Sequence, residues 1–218
     1  MGYIRTSWSN ALRHLYQKGL FSTLKRALFV IPRDFRHWWF DYKWRVNTKM
    51  SASDPQKSEP TELKAFEEIM QGIRNRNTPM PQTFFDMGCG KGRVLIMASE
   101  YGFNPVIGVE FNSALAKTAE ENVSRYQTQQ AKRTEFKIVC EDAGTYSFPD
   151  TNAVIYFYNP FDEPIMVKTL ENIRRSAHMN KERYIIYHNP VHESLLSNPM
   201  DFALLVRGSN YSVYQMIF

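Results

Sequence analysis

The sequence predicts a doubly wound α/β fold, mostly parallel, closed by a C-terminal antiparallel hairpin and preceded by a helical extension. Three observations predict it. From residue 83 onward apolar runs alternate with helical patterns. Two of those runs, "AVIYFY" and "YIIY", are apolar at successive positions, as strands covered on both faces are. A turn-prone "GSN" separates the last two strand-like runs. The 218 residues, 43% hydrophobic and 14% aromatic, suffice to bury a single core and exclude disordered and fibrous classes.

Each element follows from its own pattern. Trp8, Leu12, Leu15, Leu24 and Leu28 fall near helical spacing with bases between them, which predicts an amphipathic helix interrupted around Gly19. An aromatic and basic stretch follows, "RDFRHWWFDYKWRVNT", and then a Ser- and Pro-rich connector, "KMSASDPQKSEP". Residues 1–60 therefore read as an extension with its connector, and 61–218 as the α/β domain. In "TELKAFEEIMQGI", Leu63, Phe66, Ile69, Met70 and Ile73 mark one face of a helix. The regular part then runs strand "TFFDM", helix 93–101, strand "PVIGVE", helix 113–126, strands "FKIVCED" and "AVIYFY", helix 164–177, strand "RYIIYH" and the hairpin in "FALLVRGSNYSVYQMIF".

Charge and cysteine content narrow the setting. Residues 1–50 hold ten lysines and arginines against Asp34 and Asp41, a local charge of +8, whereas the other 168 residues total −3. Cys89 and Cys140 make neither a disulfide framework nor a paired metal or redox spacing, so a reducing, cytoplasmic setting is expected and no metal site is. No apolar run approaches the roughly 18 to 20 residues of a membrane-spanning helix, and "ALFVIP" is too short for the apolar region of a signal peptide.

The chemistry concentrates in "TFFDMGCGKGRVLIMA". Gly88, Gly90 and Gly92 sit in five positions between a strand and a helix, where they let the chain turn sharply and pass within contact distance of a ligand. In open parallel sheets ligands lie beyond the carboxyl ends of the strands. Two acids close later strand candidates: Glu110 ends "PVIGVE" and Asp142 ends "FKIVCED". The first can accept both hydroxyls of a ribose and the second an adenine amino group. A nicotinamide dinucleotide fits less well, because the third glycine comes one residue early and Arg93 stands where a small residue should allow close helix packing. A Walker loop fails because "GCGKGR" lacks the four-residue spacer and the Ser or Thr after the lysine. The nucleoside cofactor left is S-adenosylmethionine.

In order, "FFDMGCGKGRVLIMA", "VIGVEFN", "CEDA" and "YFYNPF" resemble the motifs of class I, seven-stranded S-adenosylmethionine-dependent methyltransferases, over roughly residues 80–218. "FDYKWRVNT" also resembles the lead-in of a poorly characterised bacterial group with this domain. The resemblance implies a Rossmann-like sheet, with Asp86 and the three glycines around the methionine moiety, Glu110 on the ribose, and Asp142 with Ala143 at the adenine. It implies a methyl acceptor near Asn159, Pro160 and Phe161. There the Asn159 carboxamide would accept from a substrate amine, Pro160 would stiffen the chain and Phe161 would form an apolar wall. The motif is similar to the Asn-Pro-Pro-aromatic signature of methyltransferases acting on planar amino groups, but lacks its second proline.

A plainer reading competes at each position. The glycines could serve backbone geometry alone, Asn159 could simply end a strand in a turn, and Lys91 and Arg93 are expected as solvated side chains on a first helical turn. Cys89 is expected as a small packing residue. In-line displacement at a sulfonium methyl draws on the order of 7 to 11 kcal/mol from positioning, so no strong base is obligatory. An amine such as a protein lysine is the favoured acceptor, with a small molecule or nucleic acid, or a scaffold without turnover, as alternatives. His188 is the best placed base should an oxygen be the acceptor. The basic N-terminal region reads as a helical lid with its tryptophans buried, because its apolar stripe is rich for an exposed helix, in preference to a contact for acidic partners or an anionic membrane surface.

Overall fold

The computed structural model describes residues 33–49, 61–74, 81–131, 133–159, 161–176 and 181–217. The chain divides into two compact units, Met1–Phe40 and Asp41–Phe218. The helix expected over residues 8–30 and the turn proline Pro160 lie outside the described residues. Helix α1 covers Arg33–Trp44, inside the aromatic and basic stretch.

The sheet lies in the second unit. After α2 (Leu63–Arg74) come β1 (Thr83–Met87), α3 (Arg93–Glu100), β2 (Val106–Glu110), α4 (Ser113–Gln127), β3 (Phe136–Cys140), β4 (Ala153–Tyr158), α5 (Glu163–Ser176), β5 (Arg183–His188), a 3-10 turn at Glu193–Leu196, β6 (Phe202–Arg207) and β7 (Tyr211–Met216). The seven strands are ordered β3-β2-β1-β4-β5-β7-β6, parallel except for β7, which runs antiparallel to both β5 and β6. This is the expected doubly wound sheet with a terminal hairpin.

Burial explains the sequence patterns. Strands β1, β2 and β5 are buried at every position and β4 at all but its last, so they read as unbroken apolar runs. β3 and β6, at the two edges, are only partly buried. One sheet face carries Phe85, Met87, Ile155, Phe157, Ile185 and Tyr187 into a core completed by Met166, Leu170 and Ile173 of α5. On the other face Phe66 of α2 packs edge-on against Phe84 (6.1 Å) and Tyr156 (5.8 Å). Asn112 caps α4, its Oδ1 accepting from the Ala114 and Leu115 amides at 3.0 and 3.1 Å.

Three local expectations need correction. "FKIVCED" is a strand only to Cys140, because the Asp142 carboxylate accepts from the Gly144 amide at 2.7 Å and turns the chain before the sheet can continue. Arg93 is buried, not solvated. Its Nε donates to Thr48 Oγ1 (2.7 Å), and Nη2 lies 3.6 Å from the Asp41 carboxylate that also accepts from the Thr48 hydroxyl and amide. Trp38 and Trp39 are half-exposed, contrary to the burial expected of a lid.

Two further polar anchors hold the far side of the sheet. The fully buried Arg183 donates to the Ile173 and Pro149 carbonyls and to the Ser176 side chain, closing the C-terminal end of α5. Glu193 accepts from Arg207, Ser212 and Tyr214, pinning the hairpin to the turn after β5. Burial alone would raise its pKa, but those hydrogen bonds and the Arg207 charge hold it down to about 2.

Candidate functional site

The carboxyl ends of β1 and β2 meet in a backbone cradle. Past Met87 the chain turns through Gly88, Gly90 and Gly92 with φ of 83°, 53° and 80°, in the left-handed region that glycine enters without a Cβ penalty. The amides of Gly88 and Cys89 both donate to the Val109 carbonyl (2.8 and 3.1 Å), so the loop is sewn to the end of β2. Gly108 lies beneath it, where an added Cβ would stand 2.7 Å from Cys89 Sγ and 2.8 Å from Leu95 Cδ1. That contact fixes Cys89 as a packing residue. Gly92, which caps α3, has Ala119 Cβ 3.2 Å from where its own Cβ would lie, whereas a Cβ on Gly90 would meet no atom within 4 Å. Protein packing therefore accounts for Gly92 and Gly108 and leaves open space above Gly90.

Two carboxylates flank the loop, both buried. Glu110 accepts from the Gly90 amide at Oε2 and from the Asn112 amide at Oε1, each at 2.9 Å. Asp86, paired in register with Gly108 on one side and Tyr156 on the other, accepts no hydrogen bond among the described residues. Burial, and secondarily the Glu110 charge, push its carboxyl well above the ordinary range. A buried acid without a donor, beside open space over bare backbone, is an incomplete site that a cationic group would complete.

Asp142 is exposed on the turn after β3 with Ala143 buried beside it. β2 and β3 pair in register up to Glu110 and Cys140, and the Glu141 amide donates to the Glu110 carbonyl at 3.1 Å, so Asp142 follows directly on the end of the adjacent strand. Phe111, immediately after Glu110, is a large aromatic left exposed at the same strand end. The sequence signal for it was only its place after the acid.

The β4 and β5 ends are built from side chains. Asn159 holds φ of 39° before Pro160, and Asn189 holds 50° before Pro190 on the neighbouring strand. Residues before proline avoid helical conformations and left-handed non-glycine residues are strained, so two such turns side by side are a costly local geometry. Between them Tyr158 stacks on His188 with ring centroids 4.4 Å apart. His188 Nδ1 lies 2.8 Å from Tyr156 Oη, which is 3.1 Å from Thr61 Oγ1. Burial pushes the His188 pKa down to about 4, leaving the ring uncharged at neutral pH. Phe161 packs edge-on against Phe157 at 6.3 Å, partly buried against the core under the opposite sheet face. The structure thus groups Asp86, Gly88, Gly90, Gly92 and Glu110 in one cradle, and places Asn159 at the adjoining strand end.

Residues 84–179 match the family model described as "Methyltransferase domain". Over those residues the chain is similar to a methyltransferase domain. No curated protein sequence matches the chain. Solved structures sharing the fold include the yhhF protein of Escherichia coli (16% identity, 75% of this chain and 90% of that one, TM-score 0.57). They also include the PH0226 protein of Pyrococcus horikoshii OT3 (15%, 81% and 99%, 0.51) and the ribosomal protein L11 methylase of Lactobacillus delbrueckii subsp. bulgaricus (14%, 77% and 89%, 0.50). At these identities the likeness is one of fold. S-adenosylmethionine would fit this cradle: Asp86 would meet its cationic amino acid portion, and Glu110, whose oxygens retain accepting capacity, would take the ribose hydroxyls. Among the described residues no group of His, Cys, Asp and Glu is arranged to hold a metal ion, and no helix is long and apolar enough to cross a membrane.

Proposed function

We propose that this domain methylates an amine nitrogen, a protein lysine or another N acceptor, at the ends of β4 and β5. The observation that carries the reading is the state of His188. An oxygen acceptor gives up its proton to a base in the site, and a buried imidazole with a pKa near 4 is too weak for that task. Asp162, next in the chain, is engaged in capping α5, its Oδ1 accepting from the Ile165 amide at 3.3 Å. An amine needs no such base, because apolar walls and a nearby positive charge favour its neutral form before attack.

S-adenosylmethionine, when bound, supplies a methyl group on a positively charged sulfur. The rest is positioning by this chain. Asp86 and the backbone at 88–92 hold the amino acid portion, Glu110 the ribose, and Asp142, Ala143 and Phe111 border the adenine. The Asn159 carboxamide oxygen accepts one N–H of the acceptor and thereby directs its lone pair, with Tyr158 and His188 beside it. The two free cysteines, one of them the exposed Cys140, support a reducing cytoplasmic setting.

The test is transfer of tritiated methyl from the cofactor to a cell lysate, followed by separation into protein, nucleic acid and metabolite and by hydrolysis of the labelled material. Label recovered as N-methyl product supports the reading. Label recovered only as methyl ester or ether, or none in any fraction despite cofactor binding, overturns it.

A further inference from the structure

Helix α1 is aromatic on two opposite sides. At about 100° per residue, His37, Phe40 and Trp44 share one side; His37 and Phe40 are buried, and Trp44 is half-buried with its ring edge-on to Tyr126 at 5.0 Å. Phe35, Trp38, Trp39 and Tyr42, at i, i+3, i+4 and i+7, form a stripe about 100° wide on the other side. They are 48%, 54%, 50% and 64% exposed. The rings are contiguous, with centroids 5.5 Å apart for Phe35 and Trp38 and 6.4 Å for Trp38 and Trp39. A single exposed aromatic is ordinary; four on one helix face are a surface built to meet something.

We propose that this face docks on an anionic membrane surface, lying in the headgroup layer with its axis parallel to the bilayer. Tryptophan and tyrosine favour that layer because their rings are apolar and their N–H and O–H groups find polar partners there. The charges around the stripe have the complementary sign. Arg36 and Lys43 border it on one flank, and Arg45 and Lys49 follow the helix. Two acids, Asp34 and Asp41, fall on the other flank by their helix positions, and Asp41 is already engaged by Thr48 and Arg93. In sequence, residues 1–50 as a whole carry +8. A nucleic acid interface is the lesser match: phosphate binding asks for cations across the face, whereas here rings occupy its centre and cations only its rim. Peripheral docking of this kind needs no membrane-spanning helix. The inference is independent of the methyl acceptor.

The full chain is sedimented with phosphatidylcholine vesicles with and without phosphatidylglycerol, while tryptophan emission is followed. The expected result is co-sedimentation with the phosphatidylglycerol vesicles alone, a blue shift of emission, and weakening by salt. Trp38→Ser/Trp39→Ser should reduce binding about tenfold or more, and Arg36→Gln/Lys43→Gln about fivefold per charge at low salt. Retained S-adenosylhomocysteine binding by each variant shows that it is folded. Three outcomes overturn the proposal: wild-type protein that ignores the vesicles, folded Trp38→Ser/Trp39→Ser that binds them equally well, and tight binding of an RNA oligonucleotide in place of vesicles. A wild-type dimer dissolved by the tryptophan substitutions assigns the face to a second copy and likewise overturns it.

Discussion

The two sides of the strand-end site solve different problems with different materials. At β1 and β2 the work is done by main chain: three left-handed glycines, amides tied to Val109, and one carboxylate bridging Gly90 and Asn112. At β4 and β5 it is done by side chains on strained turns, with Asn159, Asn189, Tyr158 and His188 presented together. A cofactor shared by many enzymes can be held by backbone, which varies little with sequence. An acceptor particular to one enzyme must be read by side chains. The first side is therefore visible as a motif, and the second is not.

Substitutions can break this contrast, beginning with the largest effect. Gly92→Val forces a β-branched residue to φ of 80° and drives its Cβ to 3.2 Å from Ala119 Cβ. Thermal or denaturant unfolding should show a loss of about 2–4 kcal/mol. On the other side, His188 should make stability depend on acid. Its folded pKa, about 4, lies below the 6.5 of an unfolded imidazole, so the unfolded chain takes up a proton first. The His188 contribution is complete above about pH 6.5 and declines through pH 4, by on the order of 3 kcal/mol. His188→Asn should flatten that part of the pH profile, and an unchanged slope would assign the acid sensitivity elsewhere.

Glu110→Ala strips two amides of their acceptor. It should cost about 1–3 kcal/mol of stability and weaken cofactor binding together; stability lost with affinity intact would make Glu110 a structural tie only. Asn159→Ala sharpens the contrast from the acceptor side. It should lower kcat with little change in cofactor affinity, and an equal loss in both would return Asn159 to the role of a turn residue.

What the sequence made legible follows the same division. "TFFDM", "AVIYFY" and "RYIIYH" coincide with β1, β4 and β5 because strands buried on both faces have no polar alternation to blur. Glu110 and the glycines were readable because a close backbone approach requires specific residues. Interactions between distant residues were hidden. Thr61 reaches Tyr156 across 95 positions and Thr48 reaches Arg93 across 45, and no local pattern signals either. Trp38 and Trp39 misled because apolar side chains are expected inside, whereas both are half-exposed.

The central claim is that the open space above Gly90 belongs to the cofactor, and Gly90→Ala tests it most directly, by calorimetric titration with S-adenosylhomocysteine. The added methyl meets no protein atom within 4 Å, so the variant should lose only about 1–2 kcal/mol of stability from its left-handed φ. The wild type should bind one equivalent, and the folded variant should bind at least about tenfold more weakly, a loss of 1.4 kcal/mol or more. A folded wild type that gives no binding heat, or a variant that binds as tightly as the wild type, would contradict the account.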